Sequence, residues 1–276
     1  MNFPLTPIQI QRLRELNAPL AWHEKAFLDA RERDRQFQHW EKELAADGRR
    51  RLERLYAGGR PELCRLENSL VDALVTGGFV QVTTPILLSK AMLEKMSIHS
   101  AHPLTQQVFW VGSRQCLRPM LAPNLYLLMR KLGRLWPKPF RLFEIGPCFR
   151  KESSGSHHLA EFTMLNLVEV GLGMESRRER LEELAAFVMQ AAGIAKYDLE
   201  TKQSEIYGET IDVVAGMEVC SGAMGPHPLD DAWGITDSWV GLGFGLERLL
   251  MAREGYANIH RAGRSLAYLD GVPLKL

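Results

Sequence analysis

Three short segments carry residue types that together could handle a nucleotide. The first is Gly241-Leu242-Gly243-Phe244-Gly245-Leu246-Glu247-Arg248. Its glycines alternate as G-x-G-x-G, whereas a dinucleotide fingerprint requires G-x-G-x-x-G opening a helix after the first strand of a βαβ unit. Alternating glycines in an extended segment leave one face of a strand bare, so a flat ligand can lie directly on the backbone. Arg248 then falls in the first turn of a following helix, where a guanidinium meets phosphate oxygens close to oriented backbone N–H groups. The second segment is Phe149-Arg150-Lys151-Glu152, followed by a polar loop from Ser153 to Ala160 and a strand opening with Glu161-Phe162. In such a hairpin Arg150 can neutralise a phosphate, Glu152 can accept from an adenine amino group, and Phe162 can stack on the base. The third is Thr83-Thr84-Pro85, a strand end at a proline. Each is weak alone: a lone glycine run is more often a bend, and Arg-x-Glu more often a surface ion pair.

These segments need a scaffold. Thr6 can cap a helix with Pro7 at its first position, Ile10 and Leu13 follow at helical spacing, and Asn17-Ala18-Pro19 breaks it. A second helix is predicted over residues 21–46, with Phe27, Phe37, Trp40 and Leu44 available for one face, and Gly58-Gly59 closes this region. Pro61 opens a third helix with Leu63, Leu66, Leu70, Ala73 and Leu74 in one stripe, stopped by Gly77-Gly78. Strands are predicted at 79–82, 108–111, 141–145, 162–170, 210–214 and 217–220, and helices at 123–135, 175–192 and 246–254. Several strands follow one another without a helix between them, which favours antiparallel pairing and an α+β fold: an antiparallel sheet flanked by helices, preceded by an N-terminal helical segment. The expected division is residues 1–60 and 61–276.

The 276 residues are 46% hydrophobic and 24% charged, enough for one sizeable core. The net charge of +1 neither demands nor excludes a nucleic-acid partner. The first residues show no signal-peptide pattern and no apolar run long enough to cross a bilayer, so a cytoplasmic location without membrane attachment is expected. Cys64, Cys116, Cys148 and Cys220 form no Cys-x-x-Cys pair, which argues for reduced thiols over a zinc site. Arginines crowd the N-terminal segment at 12, 14, 31, 33, 35 and 49–51, but Glu15, Glu32, Asp34, Glu41 and Glu43 are interleaved, and composition alone makes this a solvated face.

In this order and spacing the three segments resemble the motif set of the class II aminoacyl-tRNA synthetases. Leu117-Arg118-Pro119-Met120-Leu121-Ala122-Pro123-Asn124-Leu125-Tyr126, the run from Phe143 to Glu152, Glu161-Phe162-Thr163-Met164-Leu165-Asn166 and Ile206-Tyr207-Gly208-Glu209-Thr210 narrow the likeness to pyrrolysyl-tRNA synthetases, bacterial catalytic-subunit type. The resemblance covers nearly the whole chain. It implies ATP and Mg²⁺ as cofactors, with Arg150 on the α-phosphate, Arg248 on the γ-phosphate, Glu152 and Phe162 on adenine, Gly243 and Gly245 beneath the nucleotide, and Glu218 and Ser221 on magnesium. The carboxylate of the amino acid attacks the α-phosphate, so orientation and charge stabilisation suffice and no catalytic triad is required. His157 and His158 are taken as loop residues.

By the same pattern the amino-acid pocket comprises Ala122, Leu125, Tyr126, Met129, Asn166, Val168, Tyr207, Ala223, Trp239 and Gly241. No carboxylate occurs in that set, which argues against lysine, whose buried ammonium needs a partner; Asn166 suits an amide in mid-chain, and Tyr207 would be a lid. The implied partners are pyrrolysine, tRNA(Pyl) and a second copy of the chain, the proline segment helping to build a two-fold interface. Archaeal members carry an additional N-terminal tRNA-binding domain for which this sequence has no room, so a separate polypeptide would supply it or the chain manages without. The resemblance also reverses the compositional reading of Arg12, Arg14, Arg31, Arg33, Arg35, Arg49, Arg50 and Arg51, making them tRNA-binding candidates. Two alternatives stay open: another phenylalanine-like class II synthetase or ligase, for which Asn166 would be superfluous, and an inactive paralogue, expected to have lost motif arginines or metal ligands.

Overall fold

The computed structural model describes residues 2–151, 155 and 158–275. Its centre is a seven-stranded sheet built from β1 (Val80–Gln81), β2 (Phe140–Phe149), β3 (Glu161–Val170), β4 (Asp198–Ser204), β5 (Gly208–Val214), β6 (Glu218–Gly225) and β7 (Trp239–Gly245). The spatial order is β1-β2-β3-β7-β6-β5-β4. β1 runs parallel to β2, and every other neighbouring pair is antiparallel. The α+β expectation therefore holds.

Strand alternation divides the residues between two cores. On one face Val240, Leu242 and Phe244 of β7 pack with Leu66, Leu70 and Leu74 of the helix Glu62–Thr76, with Leu181, Leu184 and Val188 of Arg177–Ala191, and with Leu249 and Leu250 of Leu246–Glu254. On the opposite face Val168, Ala223 and Trp239 meet Tyr126 and Met129 of the helix Ala122–Leu132 and Trp233 of the short helix Pro228–Trp233. Gly241, Gly243 and Gly245 lie on this second face, because a strand's side chains alternate.

A buried polar network fixes the helix Ala122–Leu132 to the sheet. Arg118 and Glu144, 2% and 1% exposed, pair at 2.7 Å. Glu144 also accepts from Thr84 N–H at 3.1 Å and from the Thr84 hydroxyl at 2.6 Å. Asn124 Nδ2 donates to Thr84 Oγ1 at 2.7 Å and to the Pro85 carbonyl at 3.0 Å. The proline segment is thus a clamp between β2 and the helix that carries the pocket residues. Gly146 is required beside it, since a Cβ there would collide with the buried Arg118 guanidinium. Replacing Asn124 by Ala removes two part-buried hydrogen bonds, to the Thr84 hydroxyl and the Pro85 carbonyl, and unfolding stability should fall by about 1–3 kcal/mol in denaturant titration; an unchanged midpoint would remove the clamp role.

The N-terminal segment departs from the sequence expectation. The first helix, Pro7–Glu15, is capped by Thr6 as predicted, with Gln9 completing a capping box. The second does not start at 21. Leu20–His23 is an isolated turn of helix, Ala26–Phe27 pairs with Phe3–Pro4, and the long helix begins only at Ala30, where the Asp29 carboxylate accepts from Arg31 N–H and Glu32 N–H. It then continues past Gly48 to Gly58. Docking outweighs the roughly 1 kcal/mol helix penalty of a glycine: Arg51 pairs with Glu254 at 3.4 Å and Asp270 at 3.6 Å. Trp22 stacks on Trp40 at 4.7 Å inside a small core with Leu5, Leu13 and Phe27. Arg261 ties this segment to the C-terminal residues by donating to the carbonyls of Arg14, Glu15 and Gly271.

β4 escaped sequence analysis because six of its seven residues are exposed and carry no apolar alternation. A separate three-stranded sheet of Leu87–Ser89, Gln115–Leu117 and Trp110–Val111 was likewise unforeseen except for its last strand. Among the described residues no helix is long and apolar enough to cross a membrane.

Candidate active site

Two cavities open side by side on the second face of the sheet. One, of about 740 Å³, is lined by Arg150, Phe162, Glu218, Ser221, Gly243, Gly245 and Arg248, together with His158, Met164 and Glu247. The other, of about 1070 Å³, is lined by Ala122, Leu125, Tyr126, Met129, Asn166, Val168, Tyr207, Ala223, Trp239 and Gly241, with Met120, Ser204 and Ile206 added. Arg150, Met164, Ser221 and Gly243 belong to both. The ATP and amino-acid sets drawn from the sequence are therefore brought together as two adjoining compartments with an arginine at their junction. Glu152 and His157 lie outside the described residues.

At the junction Arg150 is held on three sides. Its N–H donates to Ala160 O at 3.0 Å, closing the hairpin of β2 and β3; its Nε donates to Pro119 O at 2.9 Å; and its guanidinium lies 5.4 Å from the Phe162 ring centroid. A cation positioned this way before any ligand arrives does not have to be reorganised during reaction. Arg248 projects from the first turn of Leu246–Glu254, its Nη1 donating to Glu218 O at 3.1 Å and standing 3.7 Å from Glu218 Oε1. Glu247, beside it in sequence, is 1% exposed, and both its oxygens accept from Thr163 N–H at 2.9 Å. Burial raises the Glu247 carboxyl above its usual range, and the Thr163 bond opposes this. The Glu-Arg pair thus divides its work, Glu247 anchoring the helix to β3 and Arg248 facing the cavity.

Asp212 was missed by sequence reasoning. It lies opposite Ser221 in the β5–β6 ladder, is 4% exposed, and its Oδ1 has no hydrogen-bond partner. Lys202 Nζ, held 3.1 Å from Glu200 Oε2, also stands 3.8 Å from Asp212 Oδ2 and 3.9 Å from Glu218 Oε2, so one ammonium is shared by three carboxylates. The only signal in the sequence was an Asp between the apolar residues Ile211 and Val213.

The second cavity is apolar with few polar groups. Asn166 pairs with Gly243 across β3 and β7, and its Oδ1 is buried without a hydrogen-bond partner. A Cβ at Gly243 would come within 3.3 Å of the Asn166 amide, so the bare glycine leaves that amide approachable. Tyr126 stacks on Trp233 at 5.4 Å and meets Trp239 edge-on at 5.6 Å. Burial pushes the Tyr126 and Tyr207 hydroxyls far above the usual range. Behind these rings lies a carboxylate the sequence reading left out. Asp230 is 3% exposed, accepts from Trp239 Nε1 at 3.0 Å and His227 N–H at 2.7 Å, and is raised by burial. It does not line the cavity, so the pocket wall itself carries no carboxylate.

The N-terminal arginines separate into two groups. Arg12 bonds Glu41 at 2.7 Å, Arg33 bonds Asp34 at 2.8 Å, and Arg51 is committed to Glu254 and Asp270; all three are half-buried. Arg14, Arg31, Arg35, Arg49 and Arg50 are exposed, Arg50 standing 3.3 Å from Asp47. Positions 31, 35, 42 and 49 recur on one side of the long helix, because steps of 4, 11 and 18 residues return to the same face. Lys42, also exposed, thereby joins the stripe although sequence reasoning passed it over.

A hairpin with an arginine at its mouth, a glycine-paved strand ending in Glu-Arg and a clamp at a proline, set on one antiparallel sheet, define a class of enzyme. The family model for the class II core domain of tRNA synthetases matches residues 46–268, and the chain belongs to the class II aminoacyl-tRNA synthetases. Within that class it belongs to the pyrrolysyl-tRNA synthetases. A crystal structure of the pyrrolysyl-tRNA synthetase from Desulfitobacterium hafniense is 54% identical, with a TM-score of 0.93 over 100% of both chains. A second structure from that organism is 54% identical, with a TM-score of 0.90 over 99% of this chain and 96% of the other. More distant is the O-phosphoserine–tRNA(Cys) ligase of Methanococcus maripaludis, 24% identical over 222 residues, 71% of this chain and 41% of that protein. The chain thus spans less than half the length of this curated relative. The chain is a class II aminoacyl-tRNA ligase, and enzymes of this class use ATP with Mg²⁺.

Proposed function

We propose that this enzyme activates pyrrolysine as its adenylate and transfers it to tRNA(Pyl). The observation that carries the substrate is Asn166, a buried amide oxygen without a partner among the described residues, inside a cavity walled mainly by apolar and aromatic side chains. Such an acceptor favours a ligand that brings an N–H to that depth and a bulky apolar group beyond it. A phenylalanine side chain offers no such donor, and an inactive paralogue is disfavoured by the presence of Arg150, Glu218, Ser221 and Arg248 around one cavity. Amino-acid-dependent pyrophosphate exchange with pyrrolysine, phenylalanine and lysine tests this directly; activation of phenylalanine in preference to pyrrolysine would overturn it.

Arg150 would hold the α-phosphate at the junction, the amino-acid carboxylate approaching from the second cavity, while Arg248 would hold the γ-phosphate. Glu218 and Ser221 would ligate Mg²⁺, and the donor set fits: a carboxylate, a hydroxyl and the unpartnered Asp212 oxygen nearby are all hard ligands. Bound there, the ion would offset charge on the departing pyrophosphate. A group of three or more His, Cys, Asp or Glu able to hold a metal alone is absent among the described residues, in keeping with an ion that draws its other ligands from water and ATP. A second copy of the chain would cover the outer face of the small sheet, where Leu87 and Val111 share one face and are 46% and 47% exposed.

Arg31, Arg35, Lys42 and Arg49 would contact tRNA phosphates, with Arg14 and Arg50 nearby in the same segment. Replacing the four stripe residues together by Ala should raise the Michaelis constant for tRNA by on the order of ten- to a hundred-fold and flatten its salt dependence. Pyrophosphate exchange should stay close to wild type. Arg51 is left intact in this test because its removal would undo the docking of the helix. Unchanged tRNA binding across salt concentrations would return the stripe to a solvated face.

A further inference from the structure

We propose that His227 is a positioning residue that latches the Tyr207 loop over the amino-acid pocket and so sets how firmly the amino acid is held. The inference rests on the second cavity being that pocket.

Tyr207 stands in the short loop between β4 and β5, at the edge of the sheet where β4 has no outer neighbour. Within the loop, Ser204 Oγ accepts from Ile206 N–H at 3.2 Å and Tyr207 N–H at 3.4 Å. Those bonds shape the turn but tie it to nothing outside the hairpin. The tie comes from His227, whose Nε2 lies 2.7 Å from the Tyr207 carbonyl and whose ring meets the Tyr207 ring edge-on at 5.7 Å.

The hydrogen bonding of the ring fixes the tautomer. His227 caps the helix Pro228–Trp233, its Nδ1 accepting from Leu229 N–H at 3.2 Å. An accepting Nδ1 carries no proton in the neutral ring, so Nε2 carries it and donates to the Tyr207 carbonyl. The backbone N–H of His227 donates to Asp230 Oδ2 at 2.7 Å, and the same oxygen accepts from Trp239 Nε1 at 3.0 Å. One helix start therefore joins the lid residue Tyr207 to the wall residue Trp239. On the far side of the loop, His102 Nε2 is 3.6 Å from Glu205 Oε2, an ion pair only when His102 is protonated and one whose carboxylate is largely exposed. The His227 bond is thus the shorter and more sheltered of these two polar ties, and it adds to the packing of Ile206 and Tyr207 on the pocket core and to the Tyr207–Tyr126 hydroxyl contact.

Cap and latch can be separated by side-chain length. Asn is a favoured N-cap and keeps an acceptor for Leu229 N–H, but it is too short to reach the Tyr207 carbonyl. Gln extends a donor to about the distance of Nε2. His227→Asn should retain the thermal midpoint, the kcat of pyrophosphate exchange and the KM for ATP, while the KM for pyrrolysine rises roughly five-fold, the scale of one lost hydrogen bond. Amide hydrogen exchange in residues 204–208 should quicken in parallel. His227→Gln should bring both values back to within about two-fold of wild type by restoring that bond. An Asn variant with wild-type KM and wild-type loop exchange would overturn the latch, as would a Gln variant no better than Asn at an unchanged thermal midpoint. Failure of the wild-type enzyme to activate pyrrolysine would instead overturn the substrate assignment. The loop exchange, which needs no substrate, would still decide the latch.

Discussion

Replacing Arg150 by Ala should lower pyrophosphate exchange roughly 10²–10³-fold, the usual effect of removing a preorganised charge from a reacting centre. The expectation comes from where the guanidinium sits. It borders both cavities, at the only place among the described residues where a carboxylate from one compartment and a phosphate from the other could share a cation. Pro119 O and the Phe162 face fix its orientation, so the loss should fall on the chemical step more than on nucleotide affinity. Arg150→Lys should recover only part of the activity, because an ammonium cannot present the planar fork of donors. The thermal midpoint should be measured alongside, since the hairpin also uses the Arg150 backbone, which either substitution preserves. A fall of less than about tenfold in Arg150→Ala would remove the assigned role.

Discrimination between pyrrolysine and lysine should be equally large and require no editing. Lysine leaves ~100 Å² of apolar contact unmade, about 2.5 kcal/mol. It also brings no amide to Asn166, whose oxygen has no hydrogen-bond partner among the described residues; that adds roughly 1–3 kcal/mol. Together these amount to a preference of several hundred-fold to about ten-thousand-fold. Lysine would moreover place an ammonium among Tyr126, Trp239 and Met129, in a wall that carries no carboxylate; the nearest, Asp230, sits behind it and accepts from Trp239 Nε1 and His227 N–H through Oδ2 alone. Asn166→Ala should weaken pyrrolysine activation and admit bulkier or aromatic amino acids. Comparable activation of the two amino acids by the wild-type enzyme, measured side by side, would sink the assignment.

The sequence by itself determined the sheet and its chemistry to a useful degree. Val240, Leu242 and Phe244 alternate with Gly241, Gly243 and Gly245, so one face had to be core and the other bare. The helix Glu62–Thr76 was legible because Leu66, Leu70 and Leu74 share one stripe between two stop signals, and Arg150 and Arg248 were legible from motif order. Local patterning speaks wherever a residue's role is set by neighbours a few positions away. It was silent where the role depends on a partner remote in sequence. The start of the long helix was decided by Asp29 and by the pairing of Phe27 with Phe3, and its extension past Gly48 by Arg51 reaching Glu254 and Asp270. β4 carries no apolar period because an edge strand with both faces exposed has none to show. Eight arginines of one charge looked alike in sequence, and only the fold committed Arg12 and Arg51 to acids far along the chain. The same holds for Asp212, Asp230 and His227. What each of these side chains does is fixed by burial and by the one or two atoms it faces, and those are properties of the folded chain alone.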